Sequence, residues 1–349
     1  MRAVVYPVPN RFEIRDVPEP KAGPGQVLVK VKSTTICATD MKVFTGNFPG
    51  VTFPHTPGHE WAGQIVETGP GVAGLAAGDR VGVEVHVGCG QCRPCVEGMY
   101  NLCENYGNVA AGHAHIGFTV PGGMAEYCTV SAKAAHRLPD DLSYDEGAFT
   151  DNIGVALHAV ERTGLRPGET VAVIGPGAFG LLAVQIARAM GAGRVVLVGT
   201  RADRLQRGLD LGADALVDVG AASDPVAAVK EAFGGQGADT VVEFAGTESA
   251  AVLALQVARR GGRICLAGAT GPGRKLSVDL SVIVRGHLDV CGSVANPQWV
   301  SLRGLELMTR GLVNVKPLIT HNLSLEDFPR AWEMTHNRLD GAIRVMLHL

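Results

Sequence analysis

The sequence predicts an α/β protein, with a mostly antiparallel β domain followed by a doubly wound parallel-sheet domain. Near residue 154, short strand-like runs broken by Pro and Gly give way to strands that alternate with helical patterns. A Gly-x-Gly-x-x-Gly turn at 175–180 lies between a β-branched run and an amphipathic segment. The chain has 46 glycines among 349 residues, which suits many strand-to-helix turns. Together these observations indicate two domains.

The first predicted domain covers residues 1–153. Its strand-like runs are 13–16, 27–31, 61–67 and 80–85. They are short and bounded by Pro and Gly, which is typical of antiparallel strands. We therefore expect an antiparallel, partly barrel-like domain, with a metal-binding lobe at 86–104.

The second predicted domain covers residues 154–294 and repeats a strand-helix pattern. Its predicted strands are 171–175, 195–198, 215–217, 239–244, 262–268 and 288–292. The helical segments between them end at Gly191, Gly212, Gly234 and Gly261, since glycine favours helix termination. This alternation predicts a parallel sheet built from βαβ units.

The third segment, 295–349, is predicted to contain two helices and a closing strand. The helices are expected at 298–310 and 325–336, and the strand at 342–347. Ser324 and Asp327 have the spacing of a helix capping box. We expect this segment to return to the first domain.

Composition limits the partners of the chain. The net charge is −3, with 19% charged and 46% hydrophobic residues, so nothing calls for nucleic acid or an anionic membrane as partner. No apolar run is long enough to span a bilayer, and no signal peptide is visible. Four of the eight cysteines fall within fifteen residues, which indicates a metal cluster in a reducing compartment. We expect a cytoplasmic location.

The cysteine cluster is the most specific motif in the chain. It consists of Cys89, Cys92, Cys95 and Cys103. Four thiolates at this spacing can surround one Zn²⁺ tetrahedrally, and a filled shell makes such a site structural. Four unrelated buried cysteines are one alternative. A nucleic-acid-binding knuckle is another, but the neighbouring Arg93, Glu97 and Glu104 do not form a basic surface.

The glycine turn predicts dinucleotide binding. Gly175 allows a tight turn, Gly177 lets a pyrophosphate approach the backbone, and Gly180 lets the helix pack on the strand. Ala178 and Phe179 complete the turn, where free N–H groups at a helix N-terminus favour anions. A purely structural glycine turn is the alternative.

A second set of candidate ligands is dispersed along the chain. Cys37, His59 and Asp151 offer a thiolate, an imidazole and a carboxylate, which leaves a fourth position open as a catalytic zinc requires. Taken singly, each has an ordinary structural explanation. A cysteine on an apolar strand is core, a histidine after Pro-Gly is a turn residue, and an aspartate before a helix is an N-cap.

These motifs together resemble one family along nearly the full chain. They are the runs 37–40, 58–60 and 151–158, the four-cysteine lobe and the glycine turn, in that family's order. The chain resembles the zinc-dependent medium-chain alcohol and polyol dehydrogenases, especially the sorbitol and threonine dehydrogenase branch. The resemblance implies a GroES-like catalytic domain, a Rossmann cofactor domain and a homodimer or homotetramer formed through the edge strand near 288–291.

The resemblance also implies roles for the residues of the catalytic site. Cys37 and His59 would bind the catalytic zinc, and Glu60 would be a nearby carboxylate that can swap onto the metal. Asp40 would accept a hydrogen bond from the ring of His59 and fix its tautomer. Thr39 would take the proton from the substrate hydroxyl.

Two positions depart from the family pattern. Asp151 stands where this branch usually has Glu before Pro, and Asn152 follows it. Either Asp151 or Glu60 therefore remains a candidate for the third zinc ligand. Lys42 occupies the position where the family often has a histidine that passes the proton to solvent, so the outer relay stays open.

The end of the second predicted strand bears on cofactor choice. It has no carboxylate for the adenosine ribose, and Gly199, Thr200, Arg201 and nearby Arg204 suit a 2′-phosphate. This favours NADP over NAD, as in NADP-preferring family members. The alternative is that both arginines belong to a solvated helix start with Asp203 as partner, and that NAD is used.

The predicted activity is hydride transfer between a secondary alcohol or polyol, or the matching ketone, and a nicotinamide cofactor. Two other classes stay open. One is a zinc-free reductase of the same superfamily, against which the dispersed ligand set argues. The other is a non-catalytic protein that senses a dinucleotide, against which the hydroxyl of Thr39 argues.

Overall fold

The computed structural model describes residues 1–268 and 275–349. In these residues the strands, in chain order, are β1 Arg2–Val5, β2 Glu13–Asp16, β3 Gln26–Thr35, β4 Glu60–Thr68, β5 Arg80–Val83, β6 His86–Val87, β7 Ala114–His115, β8 Tyr127–Ser131, β9 Ala135–Arg137, β10 Thr170–Ile174, β11 Arg194–Gly199, β12 Ala215–Asp218, β13 Ala238–Glu243, β14 Ala258–Leu266, β15 Asp289–Gly292, β16 Ile319–Ser324 and β17 Arg344–His348.

The α-helices in the same residues are α1 Asp40–Phe44, α2 Arg93–Val96, α3 Tyr144–Gly147, α4 Thr150–Glu161, α5 Ala178–Ala189, α6 Ala202–Asp210, α7 Pro225–Glu231, α8 Glu248–Val257, α9 Leu280–Gly286, α10 Gln298–Thr309 and α11 Phe328–Asn337. None of these helices has the length and hydropathy that crossing a bilayer requires.

The chain forms two compact units. Unit 1 comprises Met1–Gly154, Asn296–Thr309 and Val315–Leu349, and unit 2 comprises Val155–Ala295 and Arg310–Asn314. The five residues 310–314 thus belong to unit 2, although we expected them in a segment that returns to the first domain. Hydrogen bonds from Asn314 N–H to Gln185 Oε1 (2.7 Å) and from Gln185 Nε2 to the Asn314 carbonyl (3.1 Å) hold them there.

Unit 1 contains a mixed sheet in the order β16-β17-β3-β4-β5-β9, and β8 also pairs with β3. The pairings are antiparallel except for β16 with β17, which run parallel. In β3, Val27, Val29 and Val31 are buried at alternate positions, so one face of this long strand packs on Trp61 and Ile65 of β4. Burial of this stripe fixes the register of β3 against β4.

A second core of unit 1 is aromatic and holds α1 in place. The rings of Phe44 and Trp332 lie 4.7 Å apart, and Tyr6 contacts both of them edge-on. Phe328 and Phe12 extend the same cluster. Helix α1 has only five residues, so packing of Phe44 against α11 stabilises it more than helix propensity does.

Unit 2 contains a parallel sheet in the order β12-β11-β10-β13-β14-β15. Apolar runs in β10, β11 and β13 are buried on both faces, as expected for a parallel sheet covered by helices. The sheet order reverses at β10, where a doubly wound fold binds its ligand. The predicted fold class is confirmed.

Two predicted boundaries are corrected by the structure. Gly261 does not end a helix, because α8 ends at Val257 and Gly261 lies inside β14, beside an irregular register between β13 and β14. The predicted helix at 325–336 begins as a 3₁₀ turn over Leu325–Asp327, and α11 starts at Phe328 with a proline in its first turn. The Ser324–Asp327 capping box is present.

Candidate functional site

A buried set of Cys37, His59 and Glu60 lies where β3 and β4 meet. Thr35, the last residue of β3, pairs with Glu60, the first residue of β4, so the two strands bring these side chains to the same end of the sheet. One ligand atom from each of the three lies within 4.8 Å of the others. All three residues are buried. A thiolate, an imidazole and a carboxylate at this spacing can hold a zinc ion.

Asp40, the first residue of α1, orients two members of this set. Its Oδ2 accepts a hydrogen bond from the backbone N–H of Cys37 at 2.7 Å, and its Oδ1 lies 3.1 Å from Nδ1 of His59. Burial lowers the pKa of His59, but the charge of Asp40 and this hydrogen bond raise it further, so the pKa lies above its ordinary value. The Nδ1 contact leaves Nε2 facing the ligand set.

Glu60 is held by three side chains. Its Oε1 accepts hydrogen bonds from Asn152 Nδ2 at 2.7 Å and from Arg344 Nη2 at 3.1 Å, and its Oε2 accepts one from the hydroxyl of Thr35. Burial raises the pKa of Glu60, but Arg344 and His59 outweigh it and lower the pKa. Sequence reasoning missed these contacts, because Asn152 and Arg344 are remote from Glu60 along the chain.

Asp151 does not belong to the group of ligand atoms that lie within 4.8 Å of one another. It lies in the first turn of α4, and its Oδ1 has no hydrogen-bond partner in the described part of the chain. Burial raises the pKa of Asp151 to about 7. Glu60 and not Asp151 therefore supplies the carboxylate next to Cys37 and His59.

Thr39 and Lys42 flank this set. The hydroxyl oxygen of Thr39 lies 3.9 Å from Sγ of Cys37, and Thr39 is half-buried at the start of α1. Lys42 lies one turn further along the same short helix. The structure therefore brings the predicted proton acceptor next to a candidate metal ligand.

Four sulfur atoms form the second ligand set. Sγ atoms of Cys89, Cys92, Cys95 and Cys103 all lie within 4.8 Å of one another. The Cys89–Cys95 and Cys92–Cys103 separations are both 3.9 Å. Tetrahedral coordination at a Zn–S distance of about 2.3 Å implies an S···S separation of about 3.8 Å. The set therefore fits a structural zinc.

Amide donors surround the sulfur of Cys89. The backbone N–H of Gln91, the side chain of Asn105 and the backbone N–H of Cys92 donate to it at 3.5, 3.3 and 3.4 Å. These bonds lower the pKa of Cys89 to about 6. A lowered pKa favours the thiolate, which is the form that binds metal.

An imidazole cluster lies beside the buried ligand set. The rings of His86 and His115 stack with centroids 4.1 Å apart, His115 contacts Phe118 at 4.0 Å, and Phe118 contacts His59 at 4.7 Å. Burial, with the neighbouring His113, lowers the pKa of His86 to about 3. His86 is therefore neutral near pH 7, and so is His115, because burial lowers the pKa of His115 well below its ordinary value.

The glycine turn joins β10 to α5 in unit 2. Gly175 has a φ of +104°, and a Cβ at Gly180 would lie 1.9 Å from the Gly175 carbonyl oxygen, so both positions require glycine. A Cβ at Gly177 would meet no atom within 4 Å, so the space beside its backbone leaves room for a ligand. Helix α5 begins at Ala178, and the ring of Phe179 stacks on Phe244 with centroids 6.0 Å apart.

The end of β11 carries the residues expected to select the cofactor. A Cβ at Gly199 would lie 2.3 Å from Pro176, which gives this glycine a packing reason as well. Thr200 is exposed, and Arg201 is the N-cap residue of α6. Asp218 at the end of β12 pairs in register with Gly199, so a carboxylate does stand beside this strand end. Sequence reasoning missed Asp218, because strand pairing brings it there.

The unit 2 sheet with its glycine turn, and the two zinc-type ligand sets of unit 1, define the class as an NAD(P)-dependent dehydrogenase with metal sites. Family models support this class: an alcohol dehydrogenase GroES-like domain matches residues 23–140, and a zinc-binding dehydrogenase domain matches 178–309. The chain belongs to the zinc-binding dehydrogenase family.

Individual relatives agree with this membership. The chain is 32% identical to a sorbitol dehydrogenase of Bacillus subtilis, with 100% of this chain and 97% of that protein covered. A zinc-binding dehydrogenase of Sinorhizobium meliloti 1021 bound to NADP is 33% identical, with 100% and 99% coverage and a TM-score of 0.92. An Escherichia coli CFT073 alcohol dehydrogenase complexed with NADH is 26% identical, with 100% and 99% coverage and a TM-score of 0.90. The family resemblance predicted from the motifs is confirmed.

Proposed function

We propose that the protein transfers a hydride between a secondary alcohol or polyol, or the matching ketone, and NADP. The observation that carries the proposal is the buried Cys37, His59 and Glu60 set, with the hydroxyl of Thr39 3.9 Å from the sulfur of Cys37. Three protein ligands leave a coordination position for an oxygen of the substrate. The sorbitol dehydrogenase relative supports the polyol class.

Cys37, His59 and Glu60 fit a catalytic zinc ion, because sulfur, nitrogen and oxygen donors are the ligands zinc prefers. When bound, Zn²⁺ lowers the pKa of an alcohol and polarises a carbonyl group. Through the 3.1 Å contact with Nδ1, Asp40 would leave Nε2 of His59 free to bind the ion. Asp151, which is buried near this set, stays a proposed ligand for states in which Glu60 turns away.

Thr39 is the proposed proton acceptor for the substrate hydroxyl. Its own hydroxyl both accepts and donates hydrogen bonds, so it can take a proton while it passes its own onward. Lys42, one turn away on α1, is the proposed next group. Glu60 keeps a negative charge in the site, since Arg344 and His59 lower its pKa.

The proposed second zinc ion is structural. Cys89, Cys92, Cys95 and Cys103 provide four thiolates, which fill a tetrahedral shell and leave no position for substrate. Unit 1 would then bind two zinc ions per chain, one with a closed shell and one with an open shell.

NADP is the proposed cofactor because Arg201, the N-cap residue of α6, lies two residues after the end of β11, where its guanidinium can pair with a 2′-phosphate. The NADP complex of the S. meliloti relative supports this choice. Asp218 and the NADH complex of the E. coli relative favour the alternative, NAD. We therefore test Arg201→Ala and Arg204→Ala, with Arg207→Ala in the last turn of α6 as the matched control.

Arg201→Ala is expected to lower kcat/KM for NADP roughly 10-fold and to change kcat/KM for NAD little, because one charge-assisted contact is lost. An unchanged ratio of the two constants would remove Arg201 from cofactor selection. A large fall for both cofactors would indicate damage to unit 2 instead.

The overall activity is tested with a panel of secondary alcohols, polyols and ketones, assayed with both cofactors after zinc has been counted. Turnover of alcohols by protein with two zinc ions supports the proposal. One zinc ion per chain with reduction of activated double bonds would point to a reductase of the same superfamily that lacks a catalytic zinc. Cofactor binding without turnover across the panel would point to a dinucleotide sensor.

The proposed assembly is a homodimer or homotetramer, and the proposed location is the cytoplasm. Strand β15 lies at the edge of the unit 2 sheet, and Val290 on it is 40% exposed, so a second copy can extend the sheet there. The many free thiols support a reducing compartment. Light scattering of the purified protein tests the assembly.

A further inference from the structure

We propose that Cys265 and Cys291 form an oxidisable dithiol in unit 2, a modification site that reacts with hydroperoxides and closes to a disulfide. The site is separate from both zinc-type ligand sets, which belong to unit 1. Hydride transfer as proposed above does not use either residue. The argument rests on strand pairing, burial and the charges around the two sulfur atoms.

Strand pairing sets the two cysteines directly opposite each other. Strands β14 and β15 run parallel, and Cys265 and Cys291 are partners in their register, between the pairs Ile264 with Val290 and Leu266 with Gly292. Neighbouring strands lie about 4.8 Å apart. This separation falls within the range of about 4.4 to 6.8 Å between Cα atoms that disulfides span. The backbone therefore need not move for a bond to form.

The two side chains point to the same face of the sheet. Ile264 belongs to the core under α8, so Cys265, the next residue, points to the opposite face. On that face Sγ of Cys291 lies 3.6 Å from the carbonyl oxygen of Arg162. Arg162 directly follows α4. The pair is therefore enclosed on one side by the end of a helix.

The two cysteines differ in burial, and this difference suits a pair in which one thiol reacts with the oxidant and the other forms the disulfide afterwards. Cys265 is fully buried, whereas Cys291 is partly accessible on the edge strand β15. A second copy that extended the sheet would pair with the backbone edge of β15, whereas the side chain of Cys291 points from a face of the sheet. A small oxidant can therefore reach Cys291 and not Cys265. The buried thiol is positioned to react second.

Charges around the pair favour ionisation of Cys291. The hydrogen bond from the Cys265 thiol and the guanidinium of Arg162 lower the pKa of Cys291, against burial and the carboxylate of Asp289. The hydrogen bond to Cys291, burial and Glu243 raise the pKa of Cys265. One thiolate thus lies beside one thiol, as in known reactive pairs.

The chemical step has two parts. The thiolate of Cys291 attacks a peroxide oxygen and the O–O bond breaks. Cys291 becomes a sulfenic acid, and the alkoxide or hydroxide that leaves takes a proton from solvent to give an alcohol or water. The sulfur of Cys265 then attacks the Cys291 sulfur, an S–S bond forms, and the hydroxyl leaves as water with the Cys265 proton. The two thiols lose two electrons and the peroxide gains them. A dithiol reductant reverses the reaction.

The test exposes the zinc-loaded protein to one equivalent of hydrogen peroxide and maps its peptides without reduction. We expect a Cys265–Cys291 cross-linked peptide that a dithiol reductant removes. In Cys265→Ser protein, a sulfenic acid probe should label Cys291, because the resolving thiol is gone. Cys128→Ser is the matched control, since Cys128 is buried alone in unit 1 and burial raises its pKa to about 12.

Alkylation in the reduced protein gives a second measurement that does not depend on peroxide. Cys291 is expected to react with iodoacetamide roughly 10-fold faster than an ordinary exposed thiol at pH 7, and Cys265→Ser should slow it. Failure to form the cross-link while Cys291 is oxidised would overturn the proposal. A disulfide between Cys291 residues of two copies, or peroxide reaction at the four-cysteine lobe first, would also overturn it.

Discussion

The two ligand sets of unit 1 are assembled differently: one from residues close together in the chain, the other from residues on separate elements of the fold. The four-cysteine set comes from fifteen consecutive residues, and its sulfur atoms receive bonds from nearby backbone and side-chain amides. The Cys37, His59 and Glu60 set is buried, and its members are held by side chains from β3, α1, α4 and β17. The first set is organised locally and the second by the fold.

Because of this difference, we expect the geometry of the two sets to depend on bound metal to different degrees. A local loop of four thiolates depends on its metal for structure, because its own apolar contacts are few. A set positioned by strands and buried hydrogen bonds keeps its geometry without the metal, and can therefore keep one coordination position open for chemistry. We expect metal loss to unfold the first region and to inactivate the second.

The largest expected effect tests the second region. Cys37→Ser should reduce kcat by about 1000-fold or more, because the proposed catalytic zinc would lose a thiolate ligand. The melting temperature should change little, and a fluorescence titration should show unchanged binding of the dinucleotide. Substantial turnover in metal-free buffer would contradict the assignment of this set.

The next effect tests the first region. Cys95→Ser should remove one zinc ion per chain and lower the melting temperature by roughly 10 °C, because the lobe loses its closed shell. Zinc counting and calorimetry on the same samples measure both changes. Retention of two zinc ions with an unchanged melting temperature would show that the lobe does not depend on metal.

A smaller effect concerns the imidazole cluster beside the buried set. The pKa of His86 in the folded state is lowered to about 3. The unfolded chain therefore takes up a proton at His86 first, and the free energy of unfolding falls as the pH drops below the ordinary histidine pKa. Between pH 8 and pH 5 this loss amounts to about 2 kcal/mol. His86→Phe should flatten the pH dependence of stability over this interval in denaturant titrations. If the stability of the variant fell as steeply with decreasing pH as that of the wild type, groups other than His86 would cause the loss.

The smallest effect concerns Asn152. Asn152→Ala removes the 2.7 Å hydrogen bond to Glu60 and should weaken zinc binding at the buried set by about 10-fold, as loss of a residue behind the ligands does. Competition with a chelator measures the affinity, with Asn108→Ala, remote in the lobe region, as the control. Equal zinc affinity in wild type and Asn152→Ala would show that Arg344 and Thr35 alone orient Glu60.

The features predicted correctly from the sequence are those that depend on the spacing of residues close together in the chain. The four-cysteine cluster, the glycine turn and the strands β10, β11 and β13 all depend on neighbours within about fifteen residues, and the structure contains them. Gly261 misled the prediction because glycine both ends helices and bends strands. Only pairing with β13 distinguishes the two cases.

The contacts around Glu60 and Gly199 could not be predicted from the sequence, because they also depend on how distant strands pair. Asp218 reaches the end of β11 through strand register, and Arg344 reaches Glu60 across 284 residues. Asp151 illustrates a further limit. Chemical type suggested it as a ligand, but its placement on α4 leaves it outside the group that Glu60 joins. The position of each carboxylate relative to Cys37 and His59 therefore depends on the fold and not on residue type, and Asp151 stays a proposed ligand.

Unit 1 is interrupted in the chain by most of unit 2, and β17, which carries Arg344, lies between β16 and β3. The ribosome synthesises a chain from its N-terminus, so residues 155–295 leave the ribosome before Arg344 has been added. The cofactor sheet can fold while Glu60 still lacks its cationic partner. We therefore expect a nascent chain halted before β17 to bind the dinucleotide while the proposed catalytic site still lacks Arg344.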